Sequence, residues 1–508
     1  AFIMENDLAG LAASDLPDRR IALEFQRGNL PAHILGDLHT LVEVARRPLA
    51  VRSSSLLEDA LHHPFAGIYQ TKMIPNNAPD AQTRFRRLTE AIKFVFASTY
   101  FQAARTYAQV AGRTTNEEKM AVIVQEVVGL DHGDRFYPNL SGVARSLNVY
   151  PHGAGRREDG VVALALGLGK TIVEGGATWA YSPAHPASPP PFRSLADQLD
   201  SSQTRFWAVN MGSVPSFDPI AETEFLVHAD LEAAEYDGTL NWLASTYDAE
   251  ADRLVPGTGR DGPRVLDFAP LLSVDAFPFN TLVRSLMRAS ESALGGPVEI
   301  EFAATLPQAK SPQPPRLGFL QVRPLFLGRE PVEITGEEWN DSRALIVSEH
   351  VLGNGVNRQI QDVIYVKPDR FDPKVSPRVA EEIARLGRAL FATQTPYLLM
   401  GFGRWGSTDP WLGIPVSWDQ IAGAAAIVEG SLDVLDVAPS QGAHFFQNVT
   451  AFDVMYFSLD RTATAALDWR WLDEQPASEE SAHVRHLRLP KPLTIKADGR
   501  TGRGGIWR

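Results

Sequence analysis

Two strand-like segments carry polar side chains at a spacing suited to phosphate chemistry. Glu299 and Glu301 lie two residues apart in VEIEFAA, and Gln321 and Arg323 lie two residues apart in LQVRP. Alternate residues of a strand share one face, so pairing of these strands would bring a carboxylate, an amide oxygen and a guanidinium together. Mg²⁺ prefers oxygen ligands, and Arg binds phosphate oxygens. The pair therefore predicts a metal–phosphate site; a cross-strand salt bridge on a solvated face is the alternative.

Arg52 is the second candidate phosphate ligand. In AVRSSSLLED a strand delivers Arg52 into a serine-rich turn, which places a guanidinium beside hydroxyls and backbone N–H groups. Such a turn can bind a polyphosphate, because small residues let the backbone approach the phosphate oxygens. A surface turn with an Arg nearby is the alternative.

The segment GLGKTIVEGG (167–176) is a glycine-rich turn after an apolar run. A Walker P-loop needs a glycine five residues before its Gly-Lys pair, and Leu164 occupies that position, so we reject a P-loop. We predict that Gly167, Gly169 and Lys170 contribute to nucleotide binding, with Lys170 on the phosphates. A simple strand-ending turn is the alternative.

Two histidines are candidates for phosphoryl acceptor or general base. His350 precedes a glycine turn in VSEHVLGNG, and His444 lies among small polar residues in SQGAHFFQN. A histidine can accept a phosphoryl group or act as a base. A hydrogen-bonded structural role is the alternative for each.

Arg404 and Trp405 are candidates for substrate binding. They lie in MGFGRWGSTDPWLGIPV, where three glycines expose the backbone and a Ser-Thr-Asp cluster follows. The segment could bind an anion or stack a ring. The alternative is a tight turn with core tryptophans.

These residues must be positioned by alternating helices and strands. Apolar runs predict strands over 49–53, 120–128, 141–149 and 161–169 and in the segments DVIYVKP and PYLLMGF. Helical periodicity predicts helices over 82–111, 279–294 and 377–392. VEIEFAA and LGFLQVRPLF flank a proline-rich stretch (307–316), which predicts a hairpin with a long loop. The fold class is therefore α/β or α+β, and the glycine–arginine tail DGRTGRGGIWR predicts a flexible end.

Composition narrows the class of protein further. The chain has 508 residues, no cysteine and a net charge of −13, from 48 basic and 61 acidic side chains. Disulfide scaffolds, thiolate metal sites and cysteine nucleophiles are excluded. The negative charge argues against a nucleic-acid binder, and no apolar run approaches the length of a membrane span. We therefore predict a cytoplasmic protein without a nucleic-acid or membrane partner.

Taken in order, several of these segments resemble a known family. AVRSSSLLEDALHHPFAG, VIVQEVVG, SGVARS, LALGLGKTIVEGG, VEIEFA and LQVRP together resemble the nucleotide-binding domain of phosphoenolpyruvate synthase (pyruvate, water dikinase) and pyruvate, phosphate dikinase. The resemblance covers about residues 45–326. It implies an ATP-grasp-like fold that clamps Mg–ATP between two subdomains, with ATP and Mg²⁺ as cofactors.

The resemblance also implies roles for single residues. Arg52 would contact the ATP phosphates, Glu301 and Gln321 would hold Mg²⁺, and Arg323 would assist phosphoryl transfer. The residues that would line the adenine pocket are Gln125, Glu126 and Val127.

This chain departs from the family pattern in three respects. No lysine precedes Lys72, so the family's N-terminal glycine-rich lysine motif is missing. The motif that presents a phosphoryl-accepting histidine is not found among the twelve histidines, and the remaining length is too short for the pyruvate-binding barrel. These departures argue against full phosphoenolpyruvate synthase activity. Either another acceptor takes the phosphoryl group, or a partner subunit supplies a phospho-histidine domain.

The sequence thus predicts three units and more than one function. Residues 1–195 and 196–330 form the two ATP-grasp-like subdomains, and residues 331–508 form a smaller C-terminal α/β domain of unknown role. The leading hypothesis is an ATP-dependent phosphotransferase that acts on a small-molecule or protein acceptor. The alternatives are a catalytically degenerate nucleotide sensor or assembly subunit and, third, a ligase that forms an acyl phosphate.

Overall fold

A computed structural model describes most of the chain. The described residues are 1–12, 14, 16–55, 67–110, 119–190, 192, 194–273, 277–308, 313–325, 332–435, 437, 444–452 and 454–508. The middle of the predicted hairpin loop 307–316 and the last residue of the predicted helix 82–111 lie outside them. Within the described residues, no helix is both long and apolar enough to cross a membrane.

The first part of the chain packs helices on a small antiparallel sheet. Its elements are α1 (Phe2–Glu5), α2 (Ala9–Ala12), α3 (Asp18–Arg27), α4 (Ala32–Val44), β1 (Leu49–Ser54), β2 (Lys72–Ile74), α5 (Ala81–Ser98), α6 (Gln102–Val110) and β3 (Ala121–Glu126). The sheet has the order β2-β1-β3. Leu49, Val51 and Ile74 bury one face of this sheet in a core shared with α3 and α5, so alternate residues such as Arg52 lie on the other face.

The second part contains the largest sheet formed by the residues before 331. Its helices are α7 (Lys170–Val173), α8 (Leu195–Ser201), α9 (Leu231–Tyr236), α10 (Ala269–Ser273) and α11 (Phe279–Leu294). Its strands are β4 (Leu130–Asp131), β5 (Arg135–Tyr137), β6 (Leu140–Arg145), β7 (Val161–Leu166), β8 (Trp179–Tyr181), β9 (Arg205–Asn210), β10 (Leu226–Asp230), β11 (Ala244–Asp248), β12 (Arg253–Pro256), β13 (Arg264–Leu266), β14 (Val298–Thr305) and β15 (Arg316–Pro324). They form sheets of order β15-β14-β6-β7-β8, β10-β9-β5-β4 and β12-β11-β13.

The two faces of the five-stranded sheet differ in character. Val298, Ile300 and Phe302 of β14 point into an apolar core against α10 and α11. Because side chains alternate along a strand, Glu299 and Glu301 point to the opposite face. That face does not pack on α10 and α11, so it can hold polar and charged side chains.

The third part is a C-terminal α/β domain. Its helices are α12 (Gly336–Trp339), α13 (Ser376–Ala392), α14 (Trp418–Ile421), α15 (His444–Ala451), α16 (Arg461–Ala465) and α17 (Trp469–Glu474). Its strands are β16 (Ala344–Ser348), β17 (Val351–Leu352), β18 (Asn354–Asn357), β19 (Asp362–Val366), β20 (Tyr397–Phe402), β21 (Arg404–Trp405), β22 (Gly413–Ile414), β23 (Ala424–Gly430), β24 (Met455–Leu459), β25 (Ala477–Glu480), β26 (Val484–Arg488), β27 (Thr494–Asp498) and β28 (Arg503–Trp507).

A seven-stranded sheet organises this domain. Its order is β17-β24-β23-β20-β19-β26-β25, and the central strands β19, β20, β23 and β24 are parallel. The sheet buries both faces, which explains the continuous apolar runs of its central strands. One of the two cores also contains Ile68, Tyr69, Tyr107 and Val149, so the C-terminal domain packs directly on the first two parts of the chain.

Most predicted elements are confirmed, but the predicted helix 82–111 is wrong as a single helix. The chain forms α5 and α6, and the amides of residues 99–101 bond three residues back. The cause is packing, because Tyr100 and Phe101 bury themselves with α5 whereas Tyr107 of α6 packs in the C-terminal core.

The prediction of a flexible C-terminal tail is also wrong. β28 pairs with β27 and with β16, and Ile506 and Trp507 are buried. The two apolar residues at the end of a glycine-rich segment supply enough buried surface to fix it. The predicted boundary at residue 195 stays a prediction, although the five-stranded sheet takes strands from both sides of it.

Candidate functional site

The β14–β15 hairpin forms the floor of the candidate site. The strands pair antiparallel with Glu301 opposite Gln321 and Glu299 opposite Arg323, which confirms the predicted pairing. A register shift follows Glu301, and such bulges turn a strand and redirect its side chains. Arg323 donates to Gln321 Oε1 at 2.9 Å and to Glu301 Oε1 at 3.2 Å, so the three predicted groups do converge.

Arg52 reaches this hairpin from a different sheet. Its Nη2 donates to Gln321 Oε1 and lies 3.8 Å from Glu301 Oε2. Arg52 stands opposite Ile123 in the β1–β3 ladder, so the small sheet and the hairpin meet at this contact. Two guanidinium groups therefore flank one carboxylate and one amide. We refer to Arg52, Glu301, Gln321 and Arg323 as the arginine cluster.

Glu301 keeps its negative charge in this setting. Its side chain is 17% exposed, and burial by itself would raise the carboxyl pKa. The positive charges of Arg323 and Arg52 outweigh burial, so the pKa of Glu301 lies below its usual value. An ionised carboxylate next to an amide oxygen is a donor set that suits Mg²⁺.

The glycine turn brings Lys170 toward the same region. Gly167 has φ +79°, and a Cβ there would lie 2.6 Å from the Trp207 carbonyl oxygen, so this position needs glycine. Lys170 Nζ lies 2.6 Å from Glu174 and 3.3 Å from Glu222. Burial acts to lower the pKa of Lys170, but the two carboxylates raise it above its usual value, so the amine is protonated.

His444 comes from the C-terminal domain and lies beside the arginine cluster. It begins α15, and its ring packs against Gly67, where an added Cβ would lie 2.2 Å from Nδ1. Burial lowers the pKa of His444 to about 4, and the charges of Arg323, Lys170 and Arg52 lower it as well, against an opposing effect of Glu301. The imidazole is therefore neutral at neutral pH.

A small buried apolar cluster joins the small sheet to strands β5 and β9. Val127 belongs to this cluster, and its amide donates to the Pro48 carbonyl oxygen at 2.9 Å. The buried members of this cluster are Ala50, Val127, Phe136, Leu168 and Val209. Gln125 lies opposite Ala50 in the β1–β3 ladder and Glu126 is exposed. The assignment of Gln125, Glu126 and Val127 to an adenine pocket stays a prediction.

The remaining predicted site residues lie elsewhere. His350 is exposed in the turn between β16 and β17, where its ring contacts Tyr150 at 5.9 Å between ring centroids. Trp405 is buried and donates to the Val428 carbonyl oxygen at 3.1 Å, as expected for a core tryptophan rather than a stacking platform. Arg404 is also buried, and its guanidinium bonds backbone carbonyls of the glycine turn.

Several residues of the site escaped the sequence analysis. Arg145 forms a buried ion pair with Glu299, so Glu299 is engaged beside the arginine cluster rather than within it. Glu222 binds Lys170, and Trp207 lies beneath the amine at 5.9 Å. The sequence offered one signal for these residues, which is the position of Arg145 in SGVARS, a strand next to β14. Glu222 and Trp207 come from distant segments that no local sequence pattern connects to the site.

The donor set fits a magnesium site completed by a nucleotide. Within the described ranges, no group of three or more His, Asp or Glu side chains could hold a metal by itself. Mg²⁺ is commonly held by one or two protein oxygens together with substrate phosphates and water. Glu301 and Gln321 provide two such oxygens.

The arginine cluster joins two sheets of an α/β protein. A family model described as pyruvate phosphate dikinase, AMP/ATP-binding domain, matches residues 17–337, which is more than half of the chain. The chain therefore belongs to the pyruvate phosphate dikinase AMP/ATP-binding family, and this region has the ATP-grasp-like α/β fold of that family. All four residues of the arginine cluster lie within the match, and His444 lies outside it.

Proposed function

We propose that this protein binds Mg–ATP and transfers a phosphoryl group to an acceptor that approaches from the C-terminal domain. The carrying observation is the arginine cluster, in which Arg52 from one sheet and Arg323 from another flank Glu301 and Gln321. Phosphoryl transfer requires positioning and charge neutralisation more than covalent chemistry from the protein, and this set of side chains is suited to both.

Each residue then has a defined task. Arg52 and Arg323 bind phosphate oxygens, and Lys170 adds a third positive charge. Glu301 and Gln321 hold Mg²⁺, which neutralises phosphate charge when it is bound. Val127 and its apolar neighbours hold the base. These assignments rest on the membership of the ATP-binding family together with the distances within the cluster.

His444 is the better placed of the two candidate acceptor histidines. Its ring experiences the charges of Arg323, Glu301, Lys170 and Arg52, whereas His350 contacts Tyr150 in an exposed turn. A neutral imidazole can act as a nucleophile or as a base. We propose that the acceptor is His444 itself, or a small molecule or protein group next to it; a partner subunit with a phospho-histidine domain would dock at the same side.

The experiment is phosphorus NMR of the protein with Mg–ATP and a cell metabolite extract, following AMP, ADP, phosphate and pyrophosphate. We expect a new phosphorylated species, accompanied by ADP if one phosphoryl group leaves ATP, or by AMP and phosphate if both phosphoanhydride bonds are broken as in a dikinase. The Glu301→Ala variant should lose turnover by about 10²-fold or more, as expected when a major electrostatic contact is removed. The matched control is Glu337→Ala, an exposed residue of α12. Undiminished ATP consumption by Glu301→Ala would refute the proposal, and ADP alone would indicate a simple kinase or ligase.

The contacts of Lys72 favour a second function, that of a nucleotide sensor without turnover. Lys72 lies opposite Val51 on the core face of the small sheet, and its amine bonds Glu224 and the Ala221 carbonyl oxygen. These protein groups therefore hold the Lys72 amine, which is not offered to a nucleotide phosphate. Binding of Mg–ATP without any phosphorus-containing product would favour the sensor over the phosphotransferase.

A further inference from the structure

A loop of the C-terminal domain binds the glycine turn that carries Lys170. Arg404 Nη1 donates to the carbonyl oxygens of Gly175 at 3.1 Å and Gly176 at 2.8 Å. Ser407 Oγ donates to the same Gly175 oxygen at 3.2 Å, and the Thr408 amide donates to the Glu174 carbonyl oxygen at 3.3 Å. We refer to Arg404, Ser407 and Thr408 as the clamp.

The clamp acts on the turn that follows a short helix. α7 has four residues, and isolated helices of this length are unstable in water. Ile172 anchors α7 in a buried apolar cluster, whereas the carbonyl groups of the turn at 174–176 lie beyond the helix. The clamp bonds these carbonyls from outside, so the C-terminal domain helps to fix the position of α7.

Arg404 is suited to this task by burial and by shape. It is 8% exposed, and burial lowers the pKa of its guanidinium, which Glu429 and Asp409 oppose. A buried arginine is expensive unless its N–H groups and charge are satisfied. Nη1 donates to both neighbouring carbonyl oxygens, and the planar guanidinium fixes the directions of its N–H groups, whereas a lysine amine rotates freely.

Lys170 is the first residue of the helix that the clamp holds. Its amine bonds Glu174, and the backbone of Glu174 is itself held by Thr408. Two short routes therefore link the clamp to the Lys170 amine. One is the backbone of α7, and the other is the ion pair between Lys170 and Glu174. The charge of Lys170 acts on His444, as do the charges of Arg52 and Arg323.

From this geometry we infer that Arg404 is a positioning residue: the C-terminal domain fixes the Lys170 amine for the nucleotide phosphates through the clamp. The inference deepens the proposed function and rests on it where ATP affinity is concerned. It gives the C-terminal domain, which lies outside the family match, a defined role in nucleotide binding. Loosening of the clamp should weaken ATP binding without any change in a residue that touches ATP.

The first test is a double-mutant cycle on Mg–ATP affinity, measured by calorimetry. We expect Lys170→Met to weaken binding by about ten- to hundredfold, as for the loss of a charged hydrogen bond. Arg404→Met should weaken it by about fivefold or more. Because both changes remove the same contact, the double variant should bind within about twofold of Lys170→Met alone. Losses that multiply would overturn the inference.

The matched control separates positioning from general docking. Arg157 Nη2 donates to the Gly499 carbonyl oxygen at 2.8 Å, which is another contact between an arginine and a carbonyl across the same two regions. Arg157→Met should leave ATP affinity unchanged, because this contact does not involve α7. If Arg157→Met lowered ATP affinity as much as Arg404→Met, then any contact between the two regions, and not the clamp in particular, would control the affinity. That result would overturn the inference.

The second test does not depend on ATP, so it distinguishes failure of the inference from failure of the proposed function. The rate at which an amine-reactive reagent labels Lys170 is followed by peptide mass spectrometry. Arg404→Met should raise this rate several-fold, because Lys170 leaves its carboxylate partners, whereas labelling of Lys72 should not change. If Arg404→Met does not fold, Ser407→Ala removes one clamp donor and should give a smaller rise. Unchanged labelling of Lys170 in a folded clamp variant would overturn the inference.

Discussion

At the scale of single residues, the charge of Glu301 depends on its two arginine neighbours. Phosphates that enter the arginine cluster compete with Glu301 for Arg52 and Arg323, because phosphates and carboxylates are both anions that bind guanidinium groups. A buried carboxylate without a partner is unfavourable. Another cation must then balance Glu301, and its oxygen together with Gln321 is suited to Mg²⁺. The Mg²⁺ dependence of ATP binding is therefore the property most directly linked to Glu301.

His444 should make the fold sensitive to acid. Its pKa is about 4 in the folded protein, compared with about 6.5 in an unfolded chain. The folded protein therefore favours the neutral form of His444. This preference contributes fully to the free energy of unfolding above pH 6.5, and the contribution is lost as the pH falls toward 4. His444→Gln should be less sensitive to acid, by up to about 3 kcal/mol. Denaturant titrations at pH 7.5 and 4.5 measure the difference, with exposed His350→Gln as the control; equal acid sensitivity of the wild type and His444→Gln would contradict the placement of His444.

Glu429 should have the opposite pH dependence. Burial raises its pKa to about 7, and Tyr456 donates a hydrogen bond to its carboxylate. The free energy of unfolding should therefore fall as the pH rises from about 4.5 through 7, by up to about 3 kcal/mol. Glu429→Gln keeps an oxygen acceptor for Tyr456 and should remove this dependence. Denaturant midpoints between pH 5 and 8 test it.

The control for this prediction is Glu381→Gln, an exposed glutamate of α13 in the same domain. It should retain the fall in stability with rising pH. If Glu429→Gln retained the same fall, the carboxyl group would not be the cause.

At the scale of elements, local patterns predicted the strands better than the connections between them. The period of two in VEIEFAA and LQVRP was sufficient to predict that a carboxylate, an amide oxygen and a guanidinium converge when the strands pair, but the register that places Glu301 opposite Gln321 could not be obtained from it. The division between α5 and α6 was not predictable, since it depends on two separate cores. The approach of His444 was not predictable either, because it depends on packing between residues far apart in the sequence.

The turn between β7 and α7 should tolerate alanine at one glycine and not at the other. Gly167→Ala forces a positive φ on alanine and a contact of 2.6 Å with the Trp207 carbonyl oxygen, so it should lower the free energy of unfolding by about 1–3 kcal/mol. Gly169 has φ −61°, and the atom nearest to an added Cβ is 3.6 Å away. Gly169→Ala should therefore change stability by less than about 0.5 kcal/mol. Urea titrations of the two variants decide; equal losses would contradict the described turn.

At the scale of the whole molecule, the nucleotide-binding region and the C-terminal domain share a core. The Tyr107 ring of α6 meets the Phe452 ring edge to face, with 4.4 Å between centroids. Ile68 and Val149 enter the same cluster, which is built mainly from the seven-stranded sheet. Stability should therefore be coupled across the two regions, in addition to the clamp on α7.

Tyr107→Ala tests this coupling. Removal of a buried ring should lower the free energy of unfolding by about 3–5 kcal/mol. Hydrogen exchange should become faster in α6 and also in β19 and β20, because both regions lose the shared packing. The control is Tyr236→Ala, whose side chain is largely exposed. Faster exchange confined to α6 would contradict a shared core.

The most direct measurement of the central claim is the affinity for ATP with and without Mg²⁺. The wild type and the exposed control Glu337→Gln should bind ATP more tightly with Mg²⁺ than without it. Glu301→Gln should lose this difference and should bind Mg-free ATP at least as well as the wild type, because a negative charge leaves the arginine cluster. An undiminished Mg²⁺ dependence in Glu301→Gln would contradict the assignment of the arginine cluster as the Mg–ATP phosphate site.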